Sequence, residues 1–272
     1  MDGRPLLQEG NAAAWVILGG FFAIALAETF WPRRTLLLSL SRRWIHHGLL
    51  FGLNTLLASI VFRIGSVAFA VLAASSPYGL LNRGVPPYAS RFLLGFLFLD
   101  LLHYWRHYLY HRAAWLWRVH QVHHGDPDFD LTIGFRFHPM ELLLTQGLNL
   151  AAIALLAPPP AAVLAAELAT LFQDLFEHGN LAIPAAVDRW LRLLLITPDM
   201  HRIHHSRSAP EQLANYGTIF PWWDRMFGTY LHDPAGPQDQ IELGLEGVGA
   251  GPSMSLWASL RIPFLGPPPG EN

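Results

Sequence analysis

The residues of this chain best suited to chemistry are its clustered histidines. Neutral imidazole is a common metal ligand in proteins. Within each cluster, histidines recur at intervals of three or four residues, a spacing that places side chains on one face of a helix. Eight histidines fall into three such clusters, His107-x3-His111, His120-x2-His123-His124 and His201-x2-His204-His205.

No cysteine accompanies these histidines, which excludes thiolate ligands and disulfides. A structural zinc site needs about four ligands and usually includes cysteine. The clustered histidines are roughly twice that number. The sequence therefore predicts two metal ions that are bound entirely by nitrogen and oxygen donors.

The composition indicates that the elements holding these clusters lie in a membrane. Hydrophobic residues make up 52% of the 272 residues and charged residues 14%, with a mean hydropathy of +0.27. A soluble domain has about 25% charged residues. The net charge of −2 gives no support for nucleic-acid binding. We predict an all-α, multi-pass membrane helical bundle with about four membrane segments.

The predicted segments are apolar stretches of about the length that crosses a bilayer, which takes about 20 residues of helix. The second contains Arg63, whose charge is costly at mid-depth, so it is either a kinked span or two half-segments. The last is a helical hairpin at about 142–176 with a proline turn. In order, the stretches are Ala12–Phe30, Gly48–Ala74, a span that begins with Phe92–Trp105, and the arms Leu142–Ala157 and Ala161–Phe176.

The hairpin returns the chain to the side of the membrane that it left, so all three histidine clusters are expected on one side. Arginines are concentrated there, in the loop at 33–43 and around the clusters, which makes this side cytoplasmic by the positive-inside rule. A cytoplasmic-side helical cap would carry the dimetal site. We divide the chain into N-terminal membrane helices (1–90), a catalytic region (91–232) and a glycine- and proline-rich tail (233–272) that is expected to be poorly ordered.

Two aspartates are candidate catalytic residues. Asp100 shares a helical face with His107 and His111, where its carboxylate could accept an imidazole N–H and fix the tautomer. A simple interfacial aspartate is the alternative. Asp174 lies one turn before His178, so it is either a direct metal ligand or a hydrogen-bond partner of one.

Other polar residues allow two interpretations. His138 could ligate a metal or cap the helix that follows it. Glu167 shares the stripe of Asp174 but could instead pair with Arg63. His46 and His47 lack ligand spacing and are interpreted as interfacial residues.

The order of these motifs resembles the fatty acid hydroxylase/sterol desaturase superfamily of integral membrane di-iron enzymes. The resemblance covers about Leu97–Tyr230, half of the chain. At Asp174 some relatives have a further histidine, which leaves the ligand count open by one. The matching segments are Asp100-x4-Trp105-x-His107-x3-His111, Leu116-Trp117-x2-His120-x2-His123-His124, Arg136-x-His138-Pro139-x-Glu141, His178-x-Asn180, Thr197-Pro198-x2-His201-x2-His204-His205, Asn215-Tyr216-Gly217 and Trp223-Asp224-Arg225-x-Phe227-Gly228-Thr229-Tyr230.

The resemblance implies two iron ions as cofactors, O2 as co-substrate and a lipid substrate of sterol or fatty acyl type. The reaction would be C–H hydroxylation or desaturation, which the sequence does not distinguish. A separate reductase, or a ferredoxin- or cytochrome-type donor, would supply electrons, because the sequence carries no dinucleotide, haem or iron–sulfur motif. The implied metal ligands are His107, His111, His120, His123, His124, His138, His178, His201, His204 and His205.

Two other classes of function remain as alternatives. A membrane metal-dependent hydrolase would use metal-bound water as its nucleophile, but the chain has no H-E-x-x-H motif and more candidate ligands than hydrolysis needs. A metal transporter should place ligands along a path near mid-membrane, whereas these cluster at helix ends. Iron content and O2 consumption would separate an oxidase from a hydrolase. The sequence does not indicate the oligomeric state.

Overall fold

A computed structural model describes residues 18–83, 86–245 and 255–265 of the chain. Within these ranges the protein is all-α, as predicted, and its only β-pairing consists of two isolated bridges. Short 3-10 helices connect several of the α-helices. The α-helices are α1 Leu18–Phe30, α2 Leu40–Phe62, α3 Ser66–Ala73, α4 Tyr88–Arg112, α5 Ala114–His124, α6 Pro139–Leu156, α7 Pro160–Glu177, α8 Ala185–Leu191, α9 Pro198–His204, α10 Ala209–Gln212, α11 Trp222–Phe227 and α12 Leu256–Arg261.

The first two apolar stretches form α1, α2 and α3. Residues 12–17 of the first lie outside the described part of the chain. The second stretch breaks at Arg63, which ends α2 with a left-handed φ of 50°. The break leaves Arg63 exposed at a helix end, as both predicted forms, a kinked span or two half-segments, required. Glu167 lies near Ser66 rather than Arg63, and no ion pair between Arg63 and Glu167 is present in the described chain.

The helices α4, α6 and α7 form the framework next to the histidines. The predicted hairpin is present, with α6 ending at Ala157 in a left-handed conformation (φ 48°) and the prolines at 158–160 leading into α7. Each arm packs chiefly on other helices, α7 on α4 and α3, and α6 on α3 and α2. Leu99, Ile153 and Val163 are buried where these helices meet. This core carries the end of α4, with its histidines, beside the end of α7.

Two helical stretches of the described chain are long and apolar enough to cross a membrane, Leu40–Ala73, which joins α2 and α3, and Pro139–Leu156, which is α6. Only 17% and 28% of their most apolar windows are buried. A core helix of a soluble protein would be mostly buried, so the outward apolar faces of these helices favour a lipid environment. Two of the predicted membrane segments meet this criterion: the second apolar stretch, and the first arm of the hairpin.

The chain after α7 consists of short helices and loops packed beside α4, α5 and α7. Helix α9 packs on α7, and α11 lies beside α4, where the Phe227 ring stacks on Tyr104 with centroids 5.3 Å apart. Gly228 ends α11 with a φ of +73°, a conformation that glycine adopts without a steric penalty. The turn allows Thr229 to return to α4, where its hydroxyl lies 2.9 Å from the Tyr104 hydroxyl.

The described part of the C-terminal tail is folded onto the rest of the protein. Ile241 and Leu243 are buried in a cluster with Phe129 and Ile203. Helix α12 packs on α2, and its Ser259 is completely buried. The expectation of a poorly ordered tail therefore fails for these residues, because a few apolar side chains within a glycine- and proline-rich stretch complete a core cluster.

Candidate metal centre

Nine buried or half-buried histidines form two adjacent groups of candidate metal ligands. Within each group, one ligand atom from every residue lies within 4.8 Å of all the others. The five-histidine group consists of His107, His111, His120, His124 and His204, and the four-histidine group consists of His123, His178, His201 and His205. All nine were among the ten histidines predicted from the sequence.

The helix periodicity explains how three sequence clusters become two spatial groups. Adjacent residues on a helix point about 100° apart. His123 and His124 therefore leave α5 in different directions, and each enters a different group. His204 and His205 at the end of α9 divide in the same way. Helices α5 and α9 thus each supply ligands to both groups, while α4 supplies only the five-histidine group.

The ring nitrogens of the four-histidine group converge closely. Nε2 of His201 lies 3.0 Å from Nε2 of His178 and 3.2 Å from Nε2 of His205. Nε2 of His123 is 3.2 Å from Nε2 of His178. Four Nε2 atoms that face one point, rather than distinct hydrogen-bond partners, form the arrangement expected around a cation.

Hydrogen bonds from Nδ1 orient several of the candidate ligands. His107 donates to the Tyr216 carbonyl at 2.9 Å and His204 to the Ala214 carbonyl at 2.7 Å. An Nδ1–H donor fixes the tautomer in which Nε2 carries a free lone pair. The Nε2 atoms of both residues are buried and have no hydrogen-bond partner. Buried polar atoms are normally paired, so these orphaned nitrogens fit a site that holds metal.

His120 and His178 are oriented in the same way. His120 Nδ1 lies 2.7 Å from Oε1 of the Glu141 carboxylate, and His178 Nδ1 donates to the Asp174 carbonyl at 2.7 Å. Glu141 is therefore the carboxylate that positions an imidazole, the role predicted for Asp100. The signal for Glu141 in the sequence is its place three residues after His138, in the matching segment Arg136-x-His138-Pro139-x-Glu141.

Burial favours the neutral form of His178 and His204. Burial is the largest cause that lowers the pKa of His178 and of His204, each to about 3. Neighbouring histidines lower these pKa values further, whereas hydrogen bonds to backbone carbonyls oppose the shift. Metal binding requires deprotonated ligands, so the environment favours the form of histidine that binds a cation.

Two carboxylates adjoin the four-histidine group. Asp174, Glu177 and His178 form a third set of candidate ligands, which agrees with either role predicted for Asp174. Glu177 received no role from the sequence, although it directly precedes His178. Its Oε1 lies 3.8 Å from Nε2 of His201, and its Oε2 is buried without a partner.

Asp100 and His138, also predicted site residues, lie outside both groups of histidines. The Asp100 carboxylate accepts hydrogen bonds from the Ile219 backbone N–H at 3.2 Å and from Nε1 of Trp223 at 2.7 Å. It therefore holds the segment at 215–230 against α4 and touches no imidazole. His138 caps α6, because its Nδ1 accepts from the Met140 N–H at 3.1 Å. This is the alternative that the sequence left open.

A buried ionic network fixes the chain that follows α5. Arg43 on α2 forms ion pairs with Asp126 and Asp130, and Arg136 donates to the Val122 carbonyl of α5 at 2.7 Å. His47 lies 3.0 Å from the Asp126 carboxylate, so its interpretation as an interfacial residue is wrong. Burial alone would raise the pKa of Asp126, but these cationic neighbours outweigh burial and lower it well below its usual range.

A cavity of about 190 Å³ adjoins both groups of histidines. Its histidine wall includes members of the two groups, and the rest of its lining comes mainly from α4, α6 and α7. Its lining also includes Arg106, Leu142, Thr170, Asp174 and Glu177.

The chain belongs to the fatty acid hydroxylase family. The model of that family matches residues 92–229, which is half of the chain and contains all nine histidines. The resemblance inferred from the motifs is thereby confirmed. No solved structure is significantly similar to the chain.

Several curated proteins are similar to this chain. Ornithine lipid hydroxylase OlsE of Rhizobium tropici is 31% identical over 178 residues, which cover 65% of this chain and 51% of the relative. Alkylglycerol monooxygenase of Danio rerio is 33% identical over 56% of this chain and 32% of its own length. Methylsterol monooxygenase 1 of Rattus norvegicus is 27% identical over 53% of this chain and 48% of its own length. The matches thus span about half or less of each relative's length.

Proposed function

We propose that this protein is a membrane-bound, O2-dependent lipid hydroxylase in which the nine histidines hold two iron ions. The observation that carries the proposal is the pair of adjacent histidine groups: the Nε2 atoms of the four-histidine group converge, and those of the five-histidine group are buried without a hydrogen-bond partner. Nitrogen donors with nearby carboxylates suit iron among the first-row metals. Two groups that share α5 and α9 favour two ions in one centre over two unrelated sites.

The two iron ions, when bound, supply the activation of O2 and the removal of hydrogen from an unactivated C–H bond. The hydroxylation balances as R–H + O2 + two electrons + two protons giving R–OH + H2O. The relatives carry the names hydroxylase and monooxygenase, which supports insertion of oxygen rather than desaturation.

The protein's own residues bind and orient. Nδ1–H donation from His107, His120 and His204 aims Nε2 of each into the five-histidine group. The cavity touches both groups, because His107 and His120 line it together with His123 of the four-histidine group. A substrate carbon in the cavity would lie beside both groups of histidines. The side chain of Leu142 gives part of the lining an apolar surface, which helps to exclude water from the reacting centre.

The substrate is proposed to be a lipid that enters from the bilayer. The outward apolar surfaces of α2, α3 and α6 support a membrane position, and the names of the relatives refer to lipids of several types. We propose a multi-pass topology in which α1 and the helices α4 and α7 complete the membrane bundle. The arginine-rich stretch at 33–43, which ends in the first turn of α2, supports a cytoplasmic position for the histidines and for the segments that follow α7. A separate reductase, ferredoxin or cytochrome would deliver the electrons.

Metal analysis of the detergent-purified protein tests the proposal. Plasma mass spectrometry should find about two irons per chain in the wild type, because we propose that the two histidine groups hold two ions. The double variants His120→Ala/His204→Ala and His178→Ala/His205→Ala remove two ligands from one group each, and both should lose at least one iron. His232→Ala changes an exposed histidine outside the groups and should keep full iron content. Full iron in both double variants, or no metal in the wild type, would refute the site.

A second experiment tests the reaction. Iron-loaded protein is incubated with membrane lipids, a chemical electron donor and isotopically labelled O2. The expected product is a lipid that carries one labelled oxygen atom. A product whose new oxygen comes from water would instead favour the hydrolase alternative, because a hydrolase draws its nucleophile from solvent.

A further inference from the structure

The cavity beside the histidines contains a cation that the proposed chemistry does not use. Arg106 precedes the ligand His107 on α4 and lines the cavity. Within the described residues its guanidinium makes a single hydrogen bond, a long one from Nη1 to Oδ1 of Asn149 at 3.3 Å. A guanidinium has five N–H donors, so most of them remain for an occupant of the cavity.

The groups around Arg106 define what that occupant could be. Asp174 on α7 lies near enough to act electrostatically on Arg106, yet no carboxylate of the described chain forms an ion pair with it. Thr170 lines the same cavity and makes no hydrogen bond within the described residues. The cavity therefore offers free N–H donors, a hydroxyl and a carboxylate acceptor side by side.

These groups match an alcohol better than an anion or a bare hydrocarbon. A lipid hydroxyl can accept a hydrogen bond from Arg106 and donate one to Asp174 at the same time. A carboxylate or phosphate would satisfy Arg106 but has no hydrogen to donate to the carboxyl oxygens of Asp174 or of Glu177, which also lines the cavity. A hydrocarbon would leave all of these polar groups unpaired, which is unfavourable in a buried site.

The size of the cavity limits how much of a lipid it admits. At about 190 Å³ it is smaller than the roughly 300–1,000 Å³ of pockets that enclose a drug-sized ligand. Only a short part of a lipid can enter, and that part must include the carbon presented to the histidines. A hydroxyl bound at Arg106 would thus belong to the same short segment as that carbon.

We propose that Arg106 is a specificity-determining residue that selects uncharged, hydroxyl-bearing lipids. It places the polar end of the lipid, rather than the far end of the hydrocarbon tail, beside the metal centre. The proposal rests on the proposed function, since it concerns the substrate of that same site. It narrows the substrate from any lipid to alcohols such as long-chain alcohols and glycerol-based lipids with a free hydroxyl.

The test compares the binding of ligands that share one chain and differ in one polar group. Equilibrium binding to the purified protein in nanodiscs is measured for hexadecanol, methyl hexadecyl ether, hexadecanoate and hexadecane. Hexadecanol should bind at least roughly tenfold more tightly than hexadecane, the ratio expected for one hydrogen bond to a charged group. The ether should fall between them, because it cannot donate to Asp174. Tightest binding of hexadecanoate, or equal binding of all four, would overturn the proposal.

Variants test whether Arg106 causes the preference for hexadecanol. Arg106→Gln should remove most of the hexadecanol preference and Arg106→Lys should restore part of it, since lysine keeps the charge but not the planar donor set. Arg189→Gln, at an exposed arginine of α8, should bind like the wild type. If Arg106→Gln does not fold, Thr170→Val removes a neighbouring hydroxyl at nearly constant volume and should weaken hexadecanol binding selectively. An unchanged preference in the variants that fold would refute the role of Arg106.

Because these measurements require no turnover, they separate the two proposals. A wild type that prefers hexadecanol but oxidises no lipid would contradict the proposed function and leave the binding site intact. A wild type that hydroxylates lipids without any preference for a hydroxyl group would contradict only the specificity proposal.

Discussion

Asp100 of α4 and Trp223 of α11 are joined by a hydrogen bond of 2.7 Å from the indole Nε1 to the carboxylate. The same carboxylate accepts from the backbone of Ile219. One buried side chain of α4 thereby anchors a segment that lies more than a hundred residues further along the chain. That segment includes Tyr216, whose carbonyl orients His107.

The first prediction concerns this anchor. Asp100→Asn and Trp223→Phe should each lower the free energy of unfolding by about 1–3 kcal/mol, because each leaves a buried partner unsatisfied. The double variant should lose less than the sum of the two, because both substitutions break one interaction. Thermal unfolding of the detergent-purified proteins measures this coupling. Strictly additive losses would show that the bond does not link the two residues energetically.

The second prediction concerns the carboxylate that orients His120. Glu141→Gln should weaken metal binding by about 10–100-fold, the usual effect of losing a hydrogen-bond partner of a ligand. Competition with a chelator of known affinity measures the change. Glu242→Gln alters an exposed glutamate, 80% accessible, and serves as the control. Equal metal affinity in Glu141→Gln and the control would exclude this positioning role.

The third prediction separates a cap from a ligand. His138→Ala should keep the metal content of the wild type but lower the free energy of unfolding by about 1 kcal/mol, since it removes the side-chain cap of α6. His111→Ala, within the five-histidine group, should lose metal. Metal analysis and thermal unfolding of both variants distinguish the roles. Loss of metal from His138→Ala would return this residue to the ligand set.

The fourth prediction concerns the ionic network behind α5. Asp126→Asn should lower the free energy of unfolding by about 3–5 kcal/mol, because Arg43 and Arg136 would lose a shared carboxylate while their side chains remain completely buried. Asp233→Asn, at an aspartate that is 79% exposed, should change stability little. Thermal unfolding compares them. A small loss in Asp126→Asn would mean that water or Asp130 replaces the lost carboxylate.

Local periodicity predicted the part of this protein that depends on near neighbours. The helical hairpin, the break at Arg63 and the histidine faces all follow from residues within one or two turns of each other. The division of His123 and His124 between different groups also follows from helix geometry, once the helix is assigned. These features required no knowledge of how the helices pack.

Features that depend on distant partners could not be predicted in the same way. The spacing of Asp100 is suited to an imidazole partner, but its real partners lie on another element, at Ile219 and Trp223. His47 has no ligand spacing, yet Asp126 of a loop distant in sequence makes it part of a buried network. A single sequence records which residues are polar, but tertiary packing decides what they contact.

The sharing of α5 and α9 between the two histidine groups has a consequence for how the centre can evolve. A substitution that rotates or shifts either helix moves ligands of both groups together, because His123 and His124, or His204 and His205, are attached to the same turn. Selection cannot adjust one half of the centre while leaving the other untouched. Variation among descendants of this chain should therefore accumulate in the cavity wall and the outer helices, with α5 and α9 inherited as a unit.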